Sequence, residues 1–178
     1  MQFTKPSFLE TKIEDKFFVL KSKNDKDKNK LLKKEIDLNY IQFHFVIDGN
    51  ATFSFNNGAY KMDVSKGKYI VLYNPKKNLP VDALIHAKSY VLSVLISIKK
   101  FHKLFSEDSN NIQFLKDQNV NQKYYHENKI SNKIFLVLNE LKRFDSGSST
   151  KNLVLIMLVF LLFVAITSYI VKPFIVKD

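Results

Sequence analysis

The chain has 178 residues, 46% of them hydrophobic and 13% aromatic, which suits one domain with a substantial core and excludes a disordered chain. It carries no cysteine, so disulfides, thiolate metal sites and cysteine nucleophiles are ruled out, in keeping with a reducing compartment. The net charge of +11 rests on 27 lysines and one arginine, Arg143, and base readout leans on the bidentate guanidinium that this chain almost lacks.

Residues 1–15 show no apolar stretch behind a basic start, so no secretory signal is expected and the domain is expected in the cytoplasm. Residues 17–21 and 31–36 read as an outlying strand pair around a loop holding Lys21, Lys23, Lys26, Lys28, Lys30, Lys33 and Lys34. Asn24, Asp25, Asp27 and Asn29 interrupt the lysines, which favours a solvated hairpin loop over a phosphate or anionic-lipid patch. Four strands then follow between Tyr40 and Pro80. Ile41, Phe43, Phe45 and Ile47 alternate with Gln42, His44 and Val46, so one strand presents two different faces. Asp48-Gly49-Asn50 breaks the run, residues 51–55 resume it, and Asn57-Gly58 gives the strongest short-range hairpin signal. Tyr60, Met62 and Val64 alternate again, and residues 68–73 form a last strand before Asn74-Pro75. Residues 81–85 and 90–96 are expected to complete a β-barrel or sandwich.

Beyond Ile96 the period changes. Ile98, Phe101, His102 and Phe105 recur at helical spacing behind a capping Ser97, with Ile96 and Phe101 placed as a hydrophobic staple. Residues 106–128 are polar and Asn-rich and read as a loop. Ser131 caps a second helix through Phe144, with Ile134, Leu138 and Leu141 on one stripe. Residues 153–171, from Leu153 to Val171, carry no charge, and a helix of that length spans about 28 Å, close to the ~30 Å hydrocarbon core of a bilayer. Lys151 and Lys172 bracket this transmembrane candidate.

The order Ile41-Gln42-Phe43-His44-Phe45 to Gly49, Phe53-Ser54-Phe55-Asn56-Asn57-Gly58, and Gly67 followed by Tyr69-Ile70-Val71-Leu72-Tyr73-Asn74-Pro75 resembles the cupin-like N-terminal domain of AraC/XylS-type bacterial transcription regulators. Leu95-Ile96-Ser97-Ile98 before Phe101-His102-Lys103-Leu104-Phe105, and Tyr124-Tyr125 before Ile130-Ser131, extend the likeness over residues 17–153. The resemblance implies a mainly β, jelly-roll type barrel over 1–98 and a helical dimerisation and linker region over 98–145, and it stops where the composition gives a hydrophobic helix over 151–172. It also implies that Gln42 and His44 face the barrel interior as ligand-binding candidates, with a satisfied core histidine as the plainer reading of His44. Ile134, Leu138 and Leu141 become dimerisation candidates, although the same stripe equally fits docking on the chain's own sheet.

Metal-binding cupins need two histidines one residue apart, a carboxylate and a further histidine. Here the first strand offers only Gln42 and His44, so no metal, no cofactor and no enzymatic reaction are expected. The family's helix-turn-helix domain has no room after Phe144, so no sequence-specific DNA binding is expected of this chain alone. The function that follows is the effector-sensing and homodimerising half of such a regulator, responding to a small molecule and cut short by a reading-frame change. The alternative is a membrane-tethered cupin-like binding protein whose anchor at the inner membrane is genuine.

Overall fold

The alternation along the strand that starts at Tyr40 sorts its side chains into two separate cores, and the rest of the fold is built on that sorting. The structure, a computed structural model, describes residues 8–37, 39–104 and 123–143. Its strands are β1 (Leu9–Glu14), β2 (Phe17–Asn24), β3 (Lys30–Lys34), β4 (Tyr40–Asp48), β5 (Asn50–Phe55), β6 (Tyr60–Ser65), β7 (Lys68–Tyr73), β8 (Val81–Ile85), β9 (Ser89–Ser97) and β10 (Tyr124–Lys129). The helices are α1 (Ile98–Leu104) and α2 (Asn132–Arg143). All pairings are antiparallel, in a six-stranded sheet of order β1-β2-β9-β4-β7-β10 and a four-stranded sheet of order β3-β8-β5-β6. Two such sheets face to face, with chain-adjacent strands repeatedly assigned to opposite sheets, make the double-sheet jelly roll typical of cupins.

Val46, Ile70, Leu72, Val91 and Leu95 of the larger sheet meet Leu32, Ala51, Phe53, Val64 and Ala83 of the smaller one in the core between the sheets. Ile41, Phe43, Phe45, Tyr69, Val71 and Val94 occupy the opposite face of the larger sheet and pack with Phe101, Ile134, Leu138 and Leu141 of the helices. The sheet therefore needs helices on its outside, because both of its faces are apolar.

Gly49 turns the chain from one sheet to the other at φ +69°, and a Cβ there would lie 2.9 Å from the Cα of Ser89. The Ser89 hydroxyl accepts from the Asn50 amide at 2.9 Å, so both the backbone conformation and the close approach require glycine. The Asn57-Gly58 hairpin forms as expected, with Asn56, Asn57 and Gly58 all at positive φ and Phe55 opposite Tyr60. Ser97 caps α1 through the Lys100 amide, and Ser131 caps α2 through the Ile134 amide, each at 3.2 Å.

Two expectations from the sequence are corrected. The strands flanking the lysine loop do not pair with each other: β2 lies inside the larger sheet between β1 and β9, and β3 pairs with β8 in the smaller sheet. The loop is thus a crossing between sheets, fastened to the turn before β9 by Asn29 Oδ1 accepting from the Ala87 amide at 3.2 Å and Lys26 O accepting from Lys88 at 3.3 Å. The polar stretch 106–128 assigned to a loop ends in all but the last residue of β10, which extends the larger sheet by pairing with β7 from Tyr124↔Tyr73 to Lys129↔Lys68.

Ile134, Leu138 and Leu141 are each 0% exposed within the single chain. They dock on its own sheet, the second of the two destinations that the stripe allows, and are not open to a second subunit in this arrangement. The outer face of α2 carries Phe135 and Leu136, the latter 67% exposed. At its C-terminal end Lys142 Nζ donates to Asp48 Oδ2 at 2.9 Å and sits 4.8 Å from the Tyr90 ring centre, tying the helix to the turn at Gly49. The helical candidate at 153–171 lies outside the described residues; among them no helix is long and apolar enough to cross a membrane.

Changing Leu138 and Leu141 together to Lys should unfold the domain, because each change places a charge in a core with no partner. Leu136→Lys should leave it folded. Circular dichroism and urea titration distinguish these outcomes, and a folded monomer from the double variant would contradict the packing described.

Candidate functional site

β4 and β9 run side by side through the centre of the larger sheet, with Gln42 opposite Leu95, His44 opposite Ser93 and Val46 opposite Val91. These six face the smaller sheet, so β4 contributes two polar side chains to the interior of the barrel and β9 one. Gln42, His44 and Ser93 are buried, at 1%, 0% and 1% exposure.

They form a closed hydrogen-bonded chain. The Gln42 amide nitrogen donates to the Leu79 carbonyl at 2.6 Å, His44 Nε2 lies 2.9 Å from Gln42 Oε1, and His44 Nδ1 lies 2.7 Å from Ser93 Oγ. The Leu79 carbonyl can only accept, which fixes the orientation of the Gln42 amide. Gln42 Oε1 then accepts in turn, so His44 carries its proton on Nε2 and Nδ1 accepts from the Ser93 hydroxyl. Phe53 from the smaller sheet covers the ring, 4.8 Å between centres. Burial pushes the His44 imidazole down to about 3. Fully buried and with both nitrogens engaged, His44 is a satisfied, neutral core histidine and is not poised as a general base at neutral pH.

Next to this chain lies a cleft at the rim of the barrel. Phe18, Leu95 and Gln42 are successive cross-strand neighbours, and the cleft, of about 160 Å³, begins at the first two. Phe18, Ile36 and Leu95 give it an apolar wall, and Lys34, Asp37 and Tyr40 stand around it. Lys34 Nζ lies 2.8 Å from Glu10 Oε2 and 5.8 Å from the ring centres of both Phe8 and Phe18. Burial, then the nearby Asp37 and Asp15 carboxylates, hold the Tyr40 hydroxyl above the usual phenol range, so it remains a neutral donor. The arrangement can receive an apolar body against the wall and an anionic group at Lys34, in competition with Glu10.

Of the residues singled out from sequence, Gln42 and His44 are brought together inside the barrel, and Ile134, Leu138 and Leu141 lie on the other side of the sheet in the helix-facing core. Ser93 was legible only as a polar residue at an inward position of an otherwise apolar strand. Lys34 was one lysine among many, and its aromatic surroundings come from strand pairing. Elsewhere His86 Nε2 is 2.9 Å from Thr52 Oγ1, which donates to Asp63 at 2.6 Å. Among the described residues no group of three or more His, Cys, Asp or Glu converges to hold a metal ion.

No family model matches the chain, and no curated protein does. Among solved structures it resembles an apo form of ToxT from Vibrio cholerae at a TM-score of 0.52 and 13% identity, covering 92% of this chain and 60% of that one. The likeness is one of fold. ToxT from Vibrio cholerae with a bound unsaturated fatty acid superposes at a TM-score of 0.46 and 15% identity, covering 91% of this chain and 58% of that one. A cupin protein from Desulfovibrio desulfuricans matches at 0.39 and 12%, covering 54% of this chain and 92% of its own. The chain therefore spans about 60% of the length of the ToxT chain.

Because His44 stays neutral in the folded chain down to about pH 3 whereas an unfolded histidine takes up its proton near pH 6.5, only the unfolded state gains a proton in that window. Stability should accordingly fall as the pH drops below 6.5, by up to ~1.4 kcal/mol per unit. His44→Leu should lower stability at pH 7 by orphaning Gln42 and Ser93 yet flatten the profile between about pH 5.5 and 6.5, above the range where most carboxylates titrate. Urea titrations across this range measure both; a wild-type profile flat over the window would contradict the assignment.

Proposed function

We propose that the chain is the effector-sensing domain of an AraC-type transcription regulator and that its effector is an apolar small molecule with an acidic head, bound at the cleft on the rim of the barrel. The observation that carries this reading is Lys34, a cation held over two aromatic rings at the rim of an apolar cleft. A jelly roll with a helix-covered outer face suits the role, because ligand contacts at one end of the larger sheet reach α2 through a single layer of strands. A ToxT structure holds an unsaturated fatty acid, and such a molecule has both properties that the cleft asks for. Binding rather than catalysis is the reading for the interior, since its one histidine is locked in a closed chain of hydrogen bonds.

Pairing of two chains, which this role includes, would use the exposed Phe135 and Leu136 of α2 in place of the buried stripe. Sedimentation of the folded Leu136→Lys variant against wild type reads that directly, and unchanged association would count against this face. Oleate is the probe for the effector site. The full chain should bind it, and Lys34→Met should weaken binding about tenfold, the loss expected for one charge-assisted hydrogen bond of ~1.4 kcal/mol or more. Equal affinity in the two would defeat the assignment of Lys34.

The same reading keeps the domain in the cytoplasm, held at the inner membrane by residues 153–171. Its support is the uncharged composition of that run between Lys151 and Lys172. Full-length chain should stay in the pellet after an alkaline carbonate wash, and release into the supernatant would remove the anchor from the proposal.

A further inference from the structure

β7 belongs to the six-stranded sheet and β8 to the four-stranded one, so residues 74–80 must cross the gap between the sheets at the end where Gln42 lies. This strap is fastened to both sheets by side chains. Asn74 Nδ2 donates to the Tyr125 hydroxyl on β10 at 3.1 Å, and Lys77 Nζ donates to Asn56 Oδ1 in the β5–β6 hairpin at 2.7 Å. Between these tethers Leu79 packs its side chain against the core between the sheets and offers its carbonyl to the buried amide of Gln42.

An acceptor oxygen beside a branched apolar body is what Leu79 supplies, and it is also what an acyl ligand would supply. The cleft itself holds about 160 Å³. Sites for small molecules usually measure roughly 300–1,000 Å³. A fatty-acid-sized ligand therefore needs additional room next to Gln42, and the strap is the piece able to yield it, since its two side-chain tethers are exposed to solvent. Strap opening without a ligand takes the Leu79 carbonyl away from the Gln42 amide, whereas a ligand oxygen in its place restores that hydrogen bond.

We propose that Leu79 is an internal stand-in for the ligand: the strap of residues 74–80 keeps the barrel closed, and an acyl ligand opens it by taking over the Gln42 amide and displacing the Leu79 side chain. This rests on the effector reading above and adds to it a second polar contact, distinct from Lys34, and a gate. The closed form lowers apparent affinity by the fraction of molecules that are open, so weakening the plug strengthens binding.

The absence of cysteine makes the test specific. In the full-length chain in lipid nanodiscs, with empty nanodiscs subtracted, radiolabelled oleate binding is compared among wild type, Leu79→Ala, and the pair Asn56→Cys with Lys77→Cys before and after bridging by a short bismaleimide. Leu79→Ala should bind about fivefold more tightly than wild type. Bridging should weaken binding at least tenfold relative to the unbridged pair. If wild type binds oleate but bridging changes nothing, or Leu79→Ala binds no more tightly, the gate is overturned and the effector reading stands. If no form binds, Leu79→Ala included, the acyl reading itself fails and the gate with it.

Discussion

The constraint on which this structure depends is the burial of both faces of one strand. β4 is flanked by β7 and β9, faces the smaller sheet with Gln42, His44 and Val46, and faces the helices with Ile41, Phe43, Phe45 and Ile47. A strand in that position cannot slip by one residue, because the slip would drive a glutamine and a histidine into the helix-facing core and two phenylalanines and two isoleucines into the barrel. Register, helix docking and the position of the polar chain are therefore a single decision.

The hydrogen-bonded trio of Gln42, His44 and Ser93 shows how narrow the tolerance is. Each has its hydrogen bonds met by one of the others or by the Leu79 carbonyl, so the chain costs little while intact. Loss of one member leaves a neighbour buried and unpaired, at about 1–3 kcal/mol per group, which exceeds the gain from any one of the bonds. The end that lies on the loop after β7 differs from the rest: strands hold Gln42, His44 and Ser93 in place, and only a backbone carbonyl in a connection holds the fourth position.

Much of the barrel was legible in the sequence because period-two alternation and turn residues are local signals. β7 and β8 fall where the sequence places them, and the glycine turn and the hairpin after Phe55 need no tertiary information. Pairing partners were not legible. β2 and β3 look like a hairpin because they are neighbours in the chain, yet their hydrogen bonds go to β9 and β8. β10 escaped notice because Tyr124-Tyr125-His126-Glu127-Asn128-Lys129 is an edge strand with one neighbour and carries no run of alternating apolar residues. That Gln42 and His44 share a face could be read from β4 alone, and the family resemblance turned that face inward, whereas their partners Ser93 and Leu79 lie 49 and 37 residues away from the groups they meet. An amphipathic stripe states that α2 must be covered without naming the cover, and only packing chose the chain's own sheet.

The assignment of neighbouring strands to opposite sheets also governs how the chain finds its fold. β2 meets β9 with Phe17 opposite Ile96, so most of the barrel must be synthesised before β2 has a partner on that side. Closing so long a loop precedes any reward from the contacts it brings, which places the domain among topologies that fold on the order of milliseconds to seconds. During that wait Val91, Val94 and Ile96 have one vacant flank, a self-complementary apolar edge on which chains at high concentration will meet one another before they meet β2. Slow induction at low temperature is thus the condition under which this protein should reach its native state in good yield.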